Sequence, residues 1–338
     1  MSLSRCGLAF LLGVCLTGLT RYSTAADHKS EPPIITDVGG KDVTLKTWKI
    51  VGGIRKLAWL PDKTEAFEVR EFGSTTYREG VLTLVPMTTI GSIVYDYEKE
   101  TAYFHLAGMK TPLEGTTKYK DINMITIRAE VDQGKSGVAD VRFQGGVIKT
   151  GFKQVKFPNP KDVGPEPKGE LFSFLVVPEG KGKNATVMTA TSVKALYRFA
   201  DGSEKLLPWL MFKKTLKVDL AEMQKLHVGE YNVKEKTAEC EVQKKDGTQL
   251  SVTLLSTITE DGKPATLVGL VGGVPAGWKL FPIHTFTEFQ PGELKIEEKK
   301  ETPLPPKKVE TPKKTEPKEE AKKDEPKKVE PKKEESKK

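Results

Sequence analysis

Apolar and polar residues alternate along much of the chain between residues 43 and 291. In Thr237–Val242, the apolar residues Ala238, Cys240 and Val242 alternate with three polar ones, and Thr101–Leu106 has the same pattern. Successive side chains of a strand point to opposite faces, so this alternation predicts strands with one buried face and one solvated face. Many such short runs, separated by Gly and Asp, predict an all-β chain of antiparallel β-sandwich or barrel domains.

Two Asp-Gly pairs predict hairpins, at Asp201-Gly202 and Asp246-Gly247, because glycine supplies the positive φ that a tight turn requires. A second pattern, an apolar residue followed by proline, occurs at Val85-Pro86, Leu207-Pro208 and Phe281-Pro282. Proline ends a strand and suits a first helical turn, so each pair predicts a strand, a single helical turn and another strand. One longer helix is predicted over Lys213–Val228, where apolar residues recur at helical spacing.

The chain contains one stretch twice. Tyr95–Leu106 reads YDYEKETAYFHL and Tyr231–Val242 reads YNVKEKTAECEV, 136 residues further on. Downstream, Gly151-Phe152-Lys153 resembles Gly277-Trp278-Lys279. Two motifs repeated in the same order predict an internal duplication. We therefore expect equivalent β domains, copy A at residues 43–158 and copy B at 171–291, joined by a linker at 159–170. Tyr95 should then superpose on Tyr231, and Phe152 on Trp278.

Residues 1–26 are predicted to be a signal peptide. Arg5 precedes the apolar run Cys6–Leu19, and Ala25 or Ala26 offers a cleavage site. A lipoprotein signal at Cys15 is the second interpretation, because Val14 occupies the place where that signal prefers Gly or Ala. The expected location is periplasmic or extracellular, with no transmembrane segment after cleavage. The mature chain would keep one thiol and hence no internal disulfide.

The C-terminal segment, residues 297–338, consists almost entirely of Lys, Glu and Pro, with no aromatic residue. Such a composition buries too little apolar surface to offset the entropy of ordering, so disorder is predicted. Its 15 lysines and 12 acidic residues leave a net charge of only +3. The segment is interpreted as a solvated tether, or as a weak electrostatic contact to an anionic partner. The chain as a whole has no Arg-rich stripe with interleaved aromatic residues, which argues against nucleic acid as a partner.

Residues with catalytic or ligating potential form no recognisable motif. Gly134-Lys135-Ser136 resembles the end of a phosphate-binding loop, but Ala129 stands where the first glycine is required. The four histidines have no metal-ligand spacing; they are His28, His105, His227 and His284. His284 is the best candidate for a buried, hydrogen-bonded role, and Cys240 is predicted to be a buried hydrophobe rather than a nucleophile or a crosslink. No catalytic, cofactor-binding or metal-binding residue is predicted, and no cofactor.

Six aromatic residues allow two interpretations, a face that stacks on sugars or peptides, or ordinary core. They are Trp59, Tyr95, Phe152, Trp209, Tyr231 and Trp278. Core is favoured, because Phe152 and Trp278 share one position of the repeat.

The signal peptide, the tandem β units with proline turns and the Lys/Pro/Glu tail resemble exported bacterial proteins of unknown function. This resemblance implies an architecture and no activity. Two hypotheses follow. The first is a non-catalytic structural or binding protein of the cell envelope, with an envelope or extracellular partner. The second is a hydrolase of envelope polymers or glycans, with two carboxylates about 5–10 Å apart between the copies.

Overall fold

The computed structural model describes residues 31–71, 80–116, 125–132, 134–144, 151–177, 185–232 and 234–295. The fold is all-β, with 63% of the described residues in strands, and the predicted fold class is confirmed. The predicted signal peptide and the Lys/Glu/Pro-rich tail lie outside the described residues. Within the described ranges, no helix is both long and apolar enough to cross a membrane.

The strands fall into two sets of twelve along the described chain. The first set is β1 Ile34–Asp37, β2 Asp42–Val43, β3 Leu45–Gly52, β4 Ile54–Lys56, β5 Glu65–Arg70, β6 Leu82–Pro86, β7 Ile90–Asp96, β8 Thr101–Leu106, β9 Leu113–Thr116, β10 Thr126–Asp132, β11 Val138–Gln144 and β12 Phe152–Lys156. The second set is β13 Leu171–Val176, β14 Thr186–Phe199, β15 Glu204–Leu207, β16 Trp209–Phe212, β17 Leu216–Asp219, β18 Met223–Asn232, β19 Thr237–Lys244, β20 Gln249–Leu255, β21 Thr257–Glu260, β22 Lys263–Val274, β23 Gly277–Phe281 and β24 Phe286–Pro291. Short 3-10 turns lie at Met87–Thr89, Gly134–Ser136, Lys213–Thr215, Leu220–Glu222 and Ile283–Thr285.

The described strands form three antiparallel sheets. One has the order β2-β1-β12-β7-β8-β9, and a small one has the order β11-β10-β3. The third runs β17-β16-β20-β19-β18-β24-β13-β14-β22-β23-β6-β5-β4, with β15 paired to β14 and β21 paired to β22. This largest sheet passes from the second set of strands to the first at the β23–β6 pair, where Trp278 lies opposite Leu84.

The two halves of the chain share hydrophobic core as well as a sheet. One core cluster surrounds Phe104 and Phe152 in the first half, and a second surrounds Phe174 and Phe289 in the second half. A third cluster combines apolar residues of both halves; its buried members are Leu57, Ala66, Leu82, Leu84, Leu196, Val271 and Leu280. The described residues from 31 to 295 accordingly belong to one compact unit, and a division into two duplicated domains is not confirmed.

The repeated stretch does form the same local structure twice. Tyr95 pairs with Ala102 in the β7–β8 hairpin, and Tyr231 pairs with Ala238 in the β18–β19 hairpin. The side-chain oxygens of Asp96 and Asn232 each accept hydrogen bonds from the backbone amides two and three residues further on. The last turn residue before each second strand has a left-handed φ, 52° at Glu100 and 53° at Lys236.

The downstream motif is not equivalent in the two halves. Phe152 begins β12, which lies between β1 and β7, whereas Trp278 lies on β23, between β22 and β6. The strand that borders the repeated hairpin in the second half is β24. The predicted superposition of Phe152 on Trp278 is therefore wrong, because similar Gly-aromatic-Lys triplets begin strands with different neighbours.

The helix predicted over Lys213–Val228 is wrong. This stretch contains β17 and the start of β18, with a 3-10 turn before each. Each short turn interrupts the alternation of a strand, and the combined spacing of the apolar residues imitates that of a helix.

The proline turns are confirmed after Pro86 and Pro282. The one after Pro208 is wrong, because β16 begins at the next residue. Both predicted Asp-Gly hairpins form, with Gly202 and Gly247 in the left-handed region.

Candidate ligand-binding groove

An open groove of about 620 Å³ crosses the solvent-facing side of β24, β18, β19 and β20. Its lining consists mainly of polar side chains from these four strands: Lys225, His227, Glu241, Val242, Gln243, Gln249, Leu250, Ser251 and Glu288. The volume lies within the range of small-ligand sites, although the lining is more polar than is usual for such sites.

Strand alternation places these side chains in the groove. On β18, Leu226 and Val228 are buried, while His227 between them is exposed. On β19, Cys240 and Val242 are buried, while Glu241 between them is exposed. The apolar set packs into the core of the second half, which fixes the opposite set toward solvent.

The strand register arranges the polar side chains in two rows. Glu288 lies opposite His227, His227 opposite Glu241, and Glu241 opposite Ser251, which gives one row across four strands. The second row runs through Lys225, Gln243 and Gln249. With neighbouring strands about 4.8 Å apart, the first row extends roughly 14 Å.

The charges in the groove leave one carboxylate without compensation. Lys225 Nζ lies 3.0 Å from Glu288 Oε2, so these two charges form an ion pair. Glu241 forms no ion pair within the described part of the chain. The groove therefore attracts hydrogen-bond donors and cations toward Glu241. The described residues contain no group of His, Cys, Asp or Glu arranged to hold a metal ion.

Cys240 lies directly beneath the groove, on the core side of β19. Its side chain is buried, with 3% of its surface exposed, and both neighbours, Glu239 and Glu241, are exposed. Burial raises the pKa of the Cys240 thiol to about 12. The prediction that Cys240 is a buried hydrophobe is confirmed, and a buried thiol with a raised pKa is a poor nucleophile.

Two carboxylates lie near each other where the halves of the chain meet. Arg55 Nη2 is 2.6 Å from Glu204 Oε1, and Arg55 Nη1 is 3.7 Å from Glu68 Oε1. Arg198 Nη2 also donates to Glu204 Oε1, at 2.8 Å. Burial raises the pKa of Glu68. The Glu204 side chain is only 6% exposed. The cluster therefore links β4 and β5 to β14 and β15, and it offers little accessible surface for a reaction.

The aromatic residues considered for a stacking face lie in the core or pack against it. Tyr95 and Phe152 are buried. The remaining four are half-buried and pack against core clusters: Trp59, Trp209, Tyr231 and Trp278. The core interpretation is confirmed for Tyr95 and Phe152, whereas the other four lie at the edge of the core.

The histidines and the glycine-lysine motif are scattered over the fold. His284 lies in the 3-10 turn Ile283–Thr285, with its ring 5.9 Å from that of Tyr231, and His105 is exposed on β8. His28 lies outside the described residues. Gly134–Ser136 forms a 3-10 turn followed by a strand, so it lacks the helix of a phosphate-binding loop.

Sequence reasoning missed the groove, including His227. The sequence signal for the groove was the alternation of Lys225 and His227 with Leu226 and Val228, but this stretch was predicted to be a helix.

No protein-family model, curated protein or solved structure matches the chain. The interpretation of the groove therefore rests on its own geometry.

Proposed function

We propose that the chain is an exported, non-catalytic binding protein of the cell envelope, and that the groove on β24, β18, β19 and β20 is its binding surface. One observation carries this proposal: two rows of polar side chains cross a groove on one face of the sheet. The fold requires only that these positions face water, not that they form a groove lined by carboxylate, amide and hydroxyl groups.

The chemistry of the lining suits a polar ligand. The carboxylate of Glu241 accepts hydrogen bonds, the amides of Gln243 and Gln249 both donate and accept them, and the hydroxyl of Ser251 does both. Because Glu241 is the uncompensated charge, a neutral or cationic ligand is favoured over an anionic one. The expected binding mode is a set of hydrogen bonds with solvent at the rim, without a buried apolar anchor.

Export and envelope location rest on the sequence. The segment 1–26 has the charge, the apolar run and the small residues of a signal peptide. The tail, with its near balance of Lys and Glu, serves as a tether or makes weak electrostatic contacts with an anionic envelope partner.

The test is a binding assay with the mature chain and isolated envelope material, fractionated into polysaccharide and protein. The double substitution Glu241→Ala with Gln249→Ala removes one hydrogen-bonding group from each row. Binding should fall at least about tenfold, which corresponds to about 1.4 kcal/mol. Glu235→Ala, in the exposed turn of the same hairpin, is the matched control and should bind as the unmodified chain does. Equal binding by all three proteins would show that the groove is not the binding surface.

The hydrolase hypothesis has one favourable observation, the proximity of Glu68 and Glu204 where the two halves meet. Arg55 between these carboxylates and the burial of Glu204 argue against access by a polymer. Release of reducing ends from an envelope glycan, lost on Glu68→Gln, would support hydrolysis and would displace the non-catalytic proposal.

A further inference from the structure

One side of β20 is mostly unpaired, although this strand lies within the largest sheet. β19 pairs with β20 along its whole length, whereas β16, on the other side, pairs with it only where Phe212 lies opposite Leu254. Within the described residues, no strand pairs with this side of β20 from Gln249 to Val252. The open stretch, here called the β20 edge, spans about four residues, or roughly 14 Å.

The turn after β16 explains why the pairing stops. Lys214 and Thr215 have left-handed φ values of 61° and 57°, so the chain leaves β20 directly after Lys213. It returns as β17, which pairs with the other side of β16. In the described part of the chain, the β20 edge is therefore left without a neighbouring strand.

The ladder with β19 determines which backbone groups face the open side. The amide of Lys244 donates to the Thr248 carbonyl at 2.8 Å, and hydrogen-bonded pairs recur at every second position of an antiparallel ladder. Leu250 therefore directs its N–H and C=O groups to β19, whereas Gln249 and Ser251 direct theirs outward. Both of these outward-facing residues are exposed. The β20 edge thus offers N–H donors and carbonyl acceptors in the spacing of a strand.

The core side of β20 is incompletely covered at this edge. Leu250 and Val252 are half-buried and pack against the core cluster of the second half. Leu254, which lies opposite Phe212, is fully buried. β16 thus completes the core at Leu254 and leaves the two preceding apolar residues partly exposed. Apolar side chains on an added strand would remove them from water.

β20 lacks the features that protect other sheet edges. Gln249–Leu255 reads QLSVTLL, with no charged residue and no proline. The strands at the ends of the three described sheets each carry a charged residue: Asp42 on β2, Lys46 on β3, Arg55 on β4, Glu114 on β9, Arg142 on β11 and Lys217 on β17. Edge charges and prolines oppose pairing with another chain, so β20 is an edge that admits a partner strand.

We propose that the β20 edge binds an extended strand of a partner protein by β-strand addition. Backbone groups of Gln249 and Ser251 make the main-chain hydrogen bonds. Apolar side chains at alternate positions of the added strand cover Leu250 and Val252. The contacts are made by backbone at a sheet edge rather than by side chains in the groove, so this proposal does not depend on the proposed function.

Charge at one end of the edge specifies the partner strand further. Lys213 and Lys214 directly follow Phe212, are exposed, and form no ion pair within the described residues. An acidic residue at this end of the added strand is therefore favoured. In the antiparallel arrangement, the more stable of the two, that residue lies at the N-terminal end of the added strand.

A second copy of the chain fits the edge less well than a separate strand does. Pairing two copies about Leu250 would place Gln249 of each copy opposite Ser251 of the other. The same register would place the turn residue Asp246 of each copy opposite Leu254 of the other, where Phe212 already lies. A partner strand that is not followed by this hairpin turn avoids the collision.

The experiment measures fluorescence anisotropy of a labelled peptide, Glu-Glu-Val-Thr-Val-Thr-Val, titrated with the full mature chain. The peptide should bind with a Kd of about 10–1000 μM, as a short exposed contact permits. Ser251→Pro removes an outward N–H without removing a bond to β19, and should weaken binding at least about tenfold. Ser251→Thr keeps the N–H and should bind within about twofold of the unmodified chain. Near-ultraviolet circular dichroism checks that both variants keep the native packing.

Methylation of the peptide nitrogens tests the main-chain contact itself. With the valines opposite Leu250 and Val252, the threonine N–H groups face β20 and the valine N–H groups face away. Methylation of the threonine nitrogens should weaken binding at least about tenfold, whereas methylation of the valine nitrogens should change it by less than about threefold.

Charge reversal tests the proposed orientation. Lys213→Glu with Lys214→Glu should weaken binding at least about threefold at low ionic strength. A peptide that begins Lys-Lys in place of Glu-Glu should show the opposite preference and bind this double variant more tightly than the unmodified chain.

Equal binding by the two methylated peptides, or equal binding by Ser251→Pro and Ser251→Thr, would overturn strand addition. A dimer of the mature chain in analytical ultracentrifugation that Ser251→Pro dissociates would assign the edge to a second copy and overturn the partner proposal. The groove is tested separately, with envelope material and the substitutions at Glu241 and Gln249, so either proposal can fail while the other stands.

Discussion

Cys240 provides a direct test of which face of β19 points into the core. Its side chain is 3% exposed and belongs to the core cluster of the second half. Cys240→Ala removes a single sulfur atom and should lower the free energy of unfolding by about 1 kcal/mol. Cys240→Asp places a carboxylate in the same apolar surroundings without a cationic partner, and should lower the free energy of unfolding by about 3–5 kcal/mol.

The reactivity of the thiol gives the sharper measurement. Burial raises its pKa from 9.0 to about 12, which reduces the thiolate fraction at pH 8 about a thousandfold. Because the thiolate is the reactive form, native protein should resist a thiol reagent such as iodoacetamide for hours. Mass spectrometry should show full labelling only after unfolding in guanidinium chloride.

A matched control moves the thiol by one residue. Glu241→Cys combined with Cys240→Ala places a single cysteine on the exposed side of the same strand. That variant should be labelled within minutes while still folded. Rapid labelling of native Cys240 at the same rate would refute the face assignment and restore the nucleophile and crosslink interpretations.

The raised pKa also predicts how stability varies with pH. Between pH 9 and 12 the unfolded chain loses the Cys240 proton, whereas the folded chain retains it. The stabilising contribution is therefore complete below pH 9 and declines as the pH rises, by about 1.4 kcal/mol per unit. Guanidinium unfolding should show the stability difference between the unmodified chain and Cys240→Ala shrinking, then reversing, above pH 9. A constant difference would contradict the burial of the thiol.

Three further predictions concern packing and charge in the described fold. Phe174→Ala should lower the free energy of unfolding by about 3–5 kcal/mol in denaturant titration, since Phe174 is fully buried and stacks on Phe281 at 3.7 Å between ring centroids. Gly269→Ala should sharply reduce the melting temperature, because φ is 158° and a Cβ atom would lie 2.5 Å from the Phe281 carbonyl oxygen. Arg55→Met should destabilise the chain by about 3 kcal/mol, because it leaves the buried Glu204 carboxylate undercompensated; a change below about 1 kcal/mol would show that this cluster is solvated.

The sequence predicted strands well where a strand separates core from solvent. Thr237–Lys244 is such a strand, and its buried and exposed residues alternate as expected. Prediction failed over Lys213–Val228, where short turns break the alternation into pieces that resemble a helical pattern. Hydrophobic spacing alone does not distinguish a helix from short strands interrupted by turns, because each brings an apolar residue to the core every three or four positions.

The groove was not predictable, because its rows depend on strand order and on bulges. Glu288 and His227 become neighbours only because β24, and not β23, lies beside β18. An irregularity between Val228 and Tyr231 shifts the register within β18 itself. A shift of one residue moves a side chain to the other face, so the rows follow from long-range pairing that local sequence does not specify.

The chain takes different courses after the last strand of each half. After β12, the amide of Phe157 donates to the Gly91 carbonyl and extends the β12–β7 pairing by one residue. Asn159, with a left-handed φ of 50°, then turns the chain, and the amides of Lys161 and Val163 donate to the carbonyls of Thr88 and Ala107. After β24, Gly292 adopts a left-handed φ of 76°, a conformation that other residues adopt at a cost, and the chain turns to β13. Ser173 then fixes that course through its hydroxyl. The two halves thus end their repeated hairpins with different contacts, and the chain turns at a left-handed residue in each case, Asn159 after β12 and Gly292 after β24.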